Sequence, residues 1–323
     1  MSGRRIENRY AISAALGSLA IATLLVLEFL QLPGDSILSR EIQDAGHVVL
    51  HGCGAIVAFL VINRFKPADN KRSWQNYALA FMFMAMLGAL SEALQVLTPR
   101  DANAEDFARD LAGAFGFLVL LALGIDWSSK PLPTRLGLAI LGFSVLTLAI
   151  FSLFSWSAAY LERERQFPVL LDFVPGWHAS FAVTSEAQMR LDPPPPDFTD
   201  ASSSYVARIR FGPGTWPGLS HPEPVRDWSA YRKLSFRVFN PDTETRLLTI
   251  RIEDRQHNGD YDDRFNRPFP VLPGSNAIAI QLSEIADAPT GRTLDLSNVA
   301  SFSIFSDHIE QPFVLYMDKI ILE

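Results

Sequence analysis

The sequence contains a single cysteine, Cys53, in 323 residues. It can therefore close no disulfide within the chain and cannot assemble a cysteine-based zinc site. Basic residues form no stripe with interleaved aromatics, and the net charge of −7 argues against a general nucleic-acid binder. GxSxG, Walker, EF-hand and HExxH spacings are all missing. These absences leave no ready-made catalytic signature, so function has to be read from where polar residues stand among apolar ones.

Long apolar runs dominate the first half. Stretches over 10–31, 45–63, 76–97, 107–125 and 135–160 are each long enough to cross about 30 Å of hydrocarbon as a helix. Arg4, Arg5 and Arg9 precede the first run, which resembles a signal peptide but has a long apolar core and no Ala-x-Ala site after it. It reads as a retained span. Arg64, Lys66, Lys71 and Arg72 follow the second run, and Lys130 and Arg135 follow the fourth, whereas the alternate loops hold only Arg40 and Arg100. Under the positive-inside rule the N-terminus is expected in the cytoplasm and, after five spans, everything beyond residue 160 outside. Cys53, inside the second run, is expected to be a small buried filler.

Residues 91–116, SEALQVLTPRDANAEDFARDLAGAFG, join the third and fourth runs and put Glu92, Gln95, Arg100, Asp106 and Asp110 around one turn. Ionisable groups at membrane depth are functional candidates by default. Asp44, His47 and His51 recur at i, i+3 and i+7 on the second run, one helical face. Gly113 and Gly116 continue the face of Asp110, and small residues let helices approach closely in lipid. Three readings stand. One is a hydrogen-bonded network in which Arg100 or Arg109 neutralises the carboxylates. Another is an acid/base site with catalytic Glu92, Asp106, Asp110 and His47, where desolvation raises a carboxyl pKa into a useful range. The last is a metal site of His47, His51 and the acids, for which no HExxH-like spacing speaks.

The 91–116 stretch resembles the signature of the VanZ-like membrane family, over about residues 35–125. Glu92, Gln95, Arg100, Asp106, Gly113, Gly116 and, earlier, His47 match it. The chain departs from the pattern at Asp110, where the family usually has Asn, and at Gln43-Asp44, where it usually has Asp-Lys. The resemblance implies a cell-envelope setting, with glycopeptide-antibiotic resistance associated with the namesake; within the constellation, Gln95 and Arg100 are the expected substrate-binding residues.

From residue 168 the pattern changes to period two. YVARIRF (205–211), LSFRVF (234–239), LLTIRIED (247–254), AIAIQL (277–282), ASFSIF (300–305) and FVLYMDKIIL (313–322) alternate as half-buried strands do, with Gly/Pro/Asn/Asp turns between them. Eight or nine short strands predict an antiparallel sandwich or jelly roll. WSAYRKLSFRVFN (228–240), LPGSN (272–276), LDLSNVASFSIF (294–305) and LYMDKIIL (315–322) resemble the galactose-binding-like jelly rolls among carbohydrate-binding modules. Sugars stack on exposed aromatic faces, so Trp216 and Tyr261, with His257 and Arg264 from the run 254–265, are the expected ligand contacts. Trp228 is expected in the core. Asp254 and Asp318, at strand ends, are possible oxygen ligands for calcium.

The expected protein is thus multidomain: an all-α polytopic membrane bundle (1–160), a linker (161–167) and an all-β antiparallel sandwich (168–323). The resemblances imply an integral protein of a bacterial-type cytoplasmic (inner) membrane, of the cell envelope, presenting an extracytoplasmic glycan-binding domain. Its expected partners are membrane lipids and a glycan or lipid-linked precursor, with no nucleic acid and no cofactor required. A membrane-embedded acid/base enzyme and an assembly protein without catalysis are the alternatives.

Overall fold

A computed structural model describes residues 2–29, 34, 36–66, 73–95, 104–125 and 130–323. The chain divides into two compact units, Met1–Trp156 and Ser157–Glu323.

The first unit is helical: α1 (Ser2–Phe29), α2 (Ile37–Phe65), α3 (Ser73–Gln95), α4 (Ala104–Ile125), α5 (Leu132–Ala149) and the start of α6 (Phe151–Gln166). Ser36 caps α2, its Oγ accepting the Ser39 N–H at 3.1 Å. Among the described residues, four helices are long and apolar enough to cross a membrane, those of Ile37–Phe65, Trp74–Leu94, Ala104–Ile125 and Leu132–Ala149. The described apolar part of α1, Ser13–Thr23, is shorter than a span. The expected continuous span over 135–160 is divided between two helices, because the backbone turns at Ile150 (φ −110°, ψ 11°) before α6 starts.

Ala55, Ala58, Phe59 and Ile62 of α2 pack with Ala80, Met84 and Leu87 of α3 and with Ala114 and Leu118 of α4. Small side chains at these crossings bring backbones together, which is how helices gain contact where lipid is as apolar as leucine. Gly113 is the tightest point, since a Cβ there would lie 2.2 Å from the Val48 carbonyl oxygen. In α5 only Gly142 is buried, and Leu136, Ile140, Phe143 and Leu148 are exposed. Cys53 is also exposed rather than buried. It sits two residues after His51, a rotation that takes it off the packed face of α2.

The second unit begins within α6, whose last residues run through the charged stretch LERERQ (161–166). Its strands are β1 (Val169–Leu171), β2 (Val183–Ser185), β3 (Ala187–Asp192), β4 (Val206–Phe211), β5 (Gly218–His221), β6 (Lys233–Asn240), β7 (Arg246–Asp254), β8 (Phe265–Val271), β9 (Gly274–Gln281), β10 (Val299–Phe305), β11 (Phe313–Met317) and β12 (Ile320–Leu322), with a five-residue helix α7 (Leu282–Ala286). They form a seven-stranded sheet ordered β1-β12-β6-β11-β4-β3, with β9 also on β6, and a five-stranded sheet ordered β2-β5-β10-β7-β8. Every pairing is antiparallel. The period-two segments supply the central strands, and their apolar residues turn inward: Leu248, Ile250 and Ile252 on β7, Phe302 and Ile304 on β10, Ile209 and Phe211 on β4. Each such side chain contributes about 1.5–3 kcal/mol on burial. Trp228 is fully buried, as expected, and its Nε1–H donates to the Val225 carbonyl at 2.7 Å.

Candidate functional site

In the bundle the polar residues sort into two groups. Arg109 of α4 gathers the first, donating to Asp44 of α2 at 2.9 Å and to Asp106, one turn back on its own helix, at 2.7 Å. Glu105 lies 3.8 Å away. Asp106 is therefore committed to an ion pair rather than to the histidines. Among the described residues Arg109 is the cation paired with these acids; Arg100 and the side chain of Gln95 lie outside the described residues.

The second group is Asp110 with His47 and His51. Asp110 Oδ1 is 3.1 Å from His47 Nδ1 and 2.8 Å from His51 Nδ1. His51 Nδ1 also lies 3.3 Å from the His47 carbonyl oxygen. The two imidazoles stack one turn apart, 6.5 Å between centroids. His51 is 0% and Asp110 1% exposed. Glycines permit this closeness: Gly113 lets α4 reach α2, and a Cβ on Gly88 of α3 would come 2.9 Å from Asp110 Oδ2. Glu92 stands one turn beyond Gly88, on the same face of α3. His47 also lines an apolar groove of about 630 Å³ with Val26, Ile42, Leu50, Cys53 and Leu153.

In the sandwich, register separates the expected ligand residues. On β10, Phe305 pairs with Gly218 and Thr249, whereas Val299 pairs with Asp254. Trp216 precedes β5 at the first end; the 255–264 loop leaves β7 at the other, about 20 Å away along the strands. Trp216 is exposed, and its backbone N–H donates to Glu186 Oε2 at 3.0 Å. His257, Tyr261 and Arg264 share the 255–264 loop, where Arg264 meets Tyr261. His257 is held at 3.3 Å from Asp263 and 3.5 Å from Glu253. Arg264 lies over the ring of exposed Tyr261, 5.6 Å from its centroid.

Arg292 clamps that loop to the body. It bonds Asp254 in bidentate fashion, at 2.6 and 2.9 Å, and also bonds Asp263. Burial pushes the Asp254 carboxyl up, but the Arg292 and Asp295 N–H bonds outweigh it and hold the group below its ordinary value. Asp263, with Arg292 and the Asn258 N–H as donors, is held down at about 2. Asp318 is engaged by the Ser202 N–H and hydroxyl and the Lys319 N–H. Both strand-end aspartates thus spend their oxygens on protein donors, and the calcium reading loses its ligands.

The outward face of the five-stranded sheet holds residues that sequence reasoning passed over. Arg251 of β7 pairs with Asn266 of β8 and with Ser303 of β10, and Glu253 pairs with Ser301. Arg251 lies over the Phe305 ring, 4.8 Å from the centroid. The Nε atoms of Arg251 and Arg264 and Oδ1 of Asn266 are buried without a hydrogen-bond partner. Burial and the neighbouring Arg264 cation hold the Arg251 guanidinium below its ordinary pKa. The only signal for Arg251 in the sequence is its outward phase in LLTIRIED; its meeting with Asn266 needs the strand register.

Fold and site define a chain with apolar helices able to cross a membrane, followed by an antiparallel β-sandwich with polar residues on the outward face of one sheet. No protein-family model matches the chain, and no curated protein matches it, so the VanZ-like resemblance of residues 35–125 finds no support there. Among solved structures the chain is similar to an exo-beta-agarase, at 17% identity and TM-score 0.38, over 48% of this chain and 24% of the agarase. It is also similar to a family 11 carbohydrate-binding module from Clostridium thermocellum, at 18% identity and TM-score 0.33, over 44% of this chain and 86% of the module. A family 30 module from Clostridium thermocellum matches at 16% identity and TM-score 0.32, over 44% and 89%. The fold assignment of the second unit rests on the strand order and register given above.

Proposed function

We propose that the protein is a membrane-embedded glycan-binding protein of the cell envelope, anchored by its helical unit and recognising saccharide through its sandwich. The observation that carries the reading is the pair of guanidinium groups of Arg251 and Arg264, near one another with no ion-pair partner among the described residues, beside Asn266 and the exposed Tyr261 ring. Guanidinium donors next to an aromatic plane fit a sugar, which offers hydroxyls to the one and a C–H face to the other. Neither arginine forms an ion pair with any described residue within 4.0 Å, so a saccharide carrying carboxylate or phosphate supplies the missing counter-charge.

The basic loops support a cytoplasmic N-terminus and a sandwich outside the inner membrane. The motif at Glu92, Asp106 and His47 supports a VanZ-like bundle and, with it, handling of an envelope glycan or lipid-linked precursor.

Full-length protein in detergent, tested on neutral and acidic polysaccharides, is expected to be retained by an acidic one. Arg251→Ala and Arg264→Ala should each weaken retention by about tenfold or more, the scale of a lost anchor at an interface. Trp216→Ala, at the other end of the sheet, should leave it unchanged. Folded wild-type protein that binds no polysaccharide, or arginine variants that bind as well as wild type, would refute the reading.

A further inference from the structure

His47, His51 and Asp110 converge from two helices, and hydrogen bonding alone does not satisfy them. Both Nδ1 atoms meet the same carboxylate oxygen, at 3.1 and 2.8 Å. If both carry hydrogen, His51 Nε2 is a bare acceptor, and it is buried with no hydrogen-bond partner among the described residues. If either Nδ1 is bare, its lone pair faces the carboxylate. If both rings are fully protonated, His51 Nε2 becomes a buried donor with nothing to receive it. Asp110 Oδ2 lacks a partner in each case. The constant deficit is thus at the Asp110 carboxylate, buried beside two imidazoles.

We propose that these three residues hold a divalent first-row transition metal ion of the zinc type. One nitrogen from each imidazole and one carboxylate oxygen lie within 4.8 Å of one another. Around an ion with bonds of about 2.0–2.2 Å, neighbouring ligands sit roughly 3–3.5 Å apart, so the three fall inside one coordination shell after small adjustments. An ion takes both Nδ1 lone pairs and the carboxylate charge together, with no hydrogen needed at either Nδ1; the one hydrogen of His51 then sits on Nε2, so what the ion relieves is the crowding at the two Nδ1 atoms and the Asp110 carboxylate. Asp110 Oδ2 then serves as the second arm of a metal-bound carboxylate. Two nitrogens among three ligands select against calcium and magnesium, which prefer oxygen throughout.

The helices suit the task. His47 and His51 are four residues apart, the spacing that puts two imidazoles on one helical face. Gly113 brings α4 against α2, and Gly88 leaves room on α3 for the Asp110 carboxyl. On α4 the residue before Asp110 is Arg109, held by Asp44 and Asp106, which anchors the helix at that level. Three protein ligands leave a fourth position open, as in zinc sites that bind water or substrate. His47 lines the apolar groove, so that position lies close to a surface an amphiphile can reach.

The test uses full-length protein in detergent, stripped with a chelator and titrated with zinc and with cobalt(II). One equivalent of zinc should bind with a Kd in the micromolar range or tighter. The cobalt form should show the visible bands of a four- or five-coordinate nitrogen/oxygen site. Asp110→Asn and His51→Gln should each weaken zinc binding by at least about tenfold, and Cys53→Ser should leave it unchanged. Should a variant fail to fold, the wild-type cobalt spectrum decides. Weak octahedral bands, an intense thiolate-to-cobalt band pointing to Cys53, or no zinc uptake by folded protein overturns the proposal, as does undiminished uptake by folded variants. The readout is metal content, so it stands or falls separately from glycan retention.

Discussion

His221 is fully buried against the rings of Phe181 and Phe302, and its Nδ1 accepts the Glu223 N–H at 3.3 Å. Burial, then the nearby His178 and Arg163, pushes its pKa well below the ordinary value. Burial also lowers His178. Both rings therefore take up a proton less readily in the fold than in the unfolded chain, which does so near pH 6.5. Proton uptake by the unfolded state means that stability falls as pH drops below that point, by at most about 1.4 kcal/mol per pH unit for each histidine. The depressed carboxyls Asp254 and Asp263 act lower down, their contribution present above about pH 4 and lost as pH falls toward 2. Chemical denaturation of the purified protein between pH 8 and 4 should show the sandwich weakening below about pH 6.5. His221→Phe should flatten that slope. An unchanged slope in a folded variant would mean that His221 does not carry it.

At the scale of elements, the contact between α2 and α4 decides the bundle. Period and small residues announce that α4 packs tightly, and Gly113 and Gly116 are both buried. Which backbone Gly113 touches, the carbonyl of Val48, was not legible, because it depends on the axial register of two helices distant in sequence. Gly113→Val has no room to accommodate its side chain, and the helices must separate at the level of His47, His51 and Asp110. It should lower stability in detergent by about 1–3 kcal/mol, the cost of overpacking, read as an earlier thermal transition. Gly137→Ala, where a Cβ meets nothing within 4 Å, is the matched control and should change little. The five-stranded sheet carries the same lesson. Alternation in LLTIRIED showed which side of β7 faces inward. That Arg251 meets Asn266, and that Trp216 lies far from Tyr261, followed from pairing partners more than ten residues away.

For the molecule as a whole, the distribution of Lys and Arg leads to one outcome that is simple to check. Reporter fusions after residue 165 should give the signal of an extracytoplasmic site, and fusions within 66–72 that of a cytoplasmic one. A cytoplasmic signal after residue 165 would reverse the placement of the sandwich and remove the reason to seek an envelope glycan.

The sequence alone determined the division into an apolar helical half and a period-two half, the identity of most strands, the buried Trp228 and the concentration of polar residues around α4. These follow from local pattern, since helical and strand periodicity are written in consecutive residues. Only the tertiary structure decided how the polar residues divide. It paired Asp106 with Arg109, left Asp110 between His47 and His51, turned Cys53 outward, split the last apolar run at Ile150 and spent Asp254 and Asp263 on Arg292. Each outcome depends on which distant groups arrive within about 3 Å, where one charge or hydrogen-bond partner excludes another, and spacing along a chain does not encode that competition.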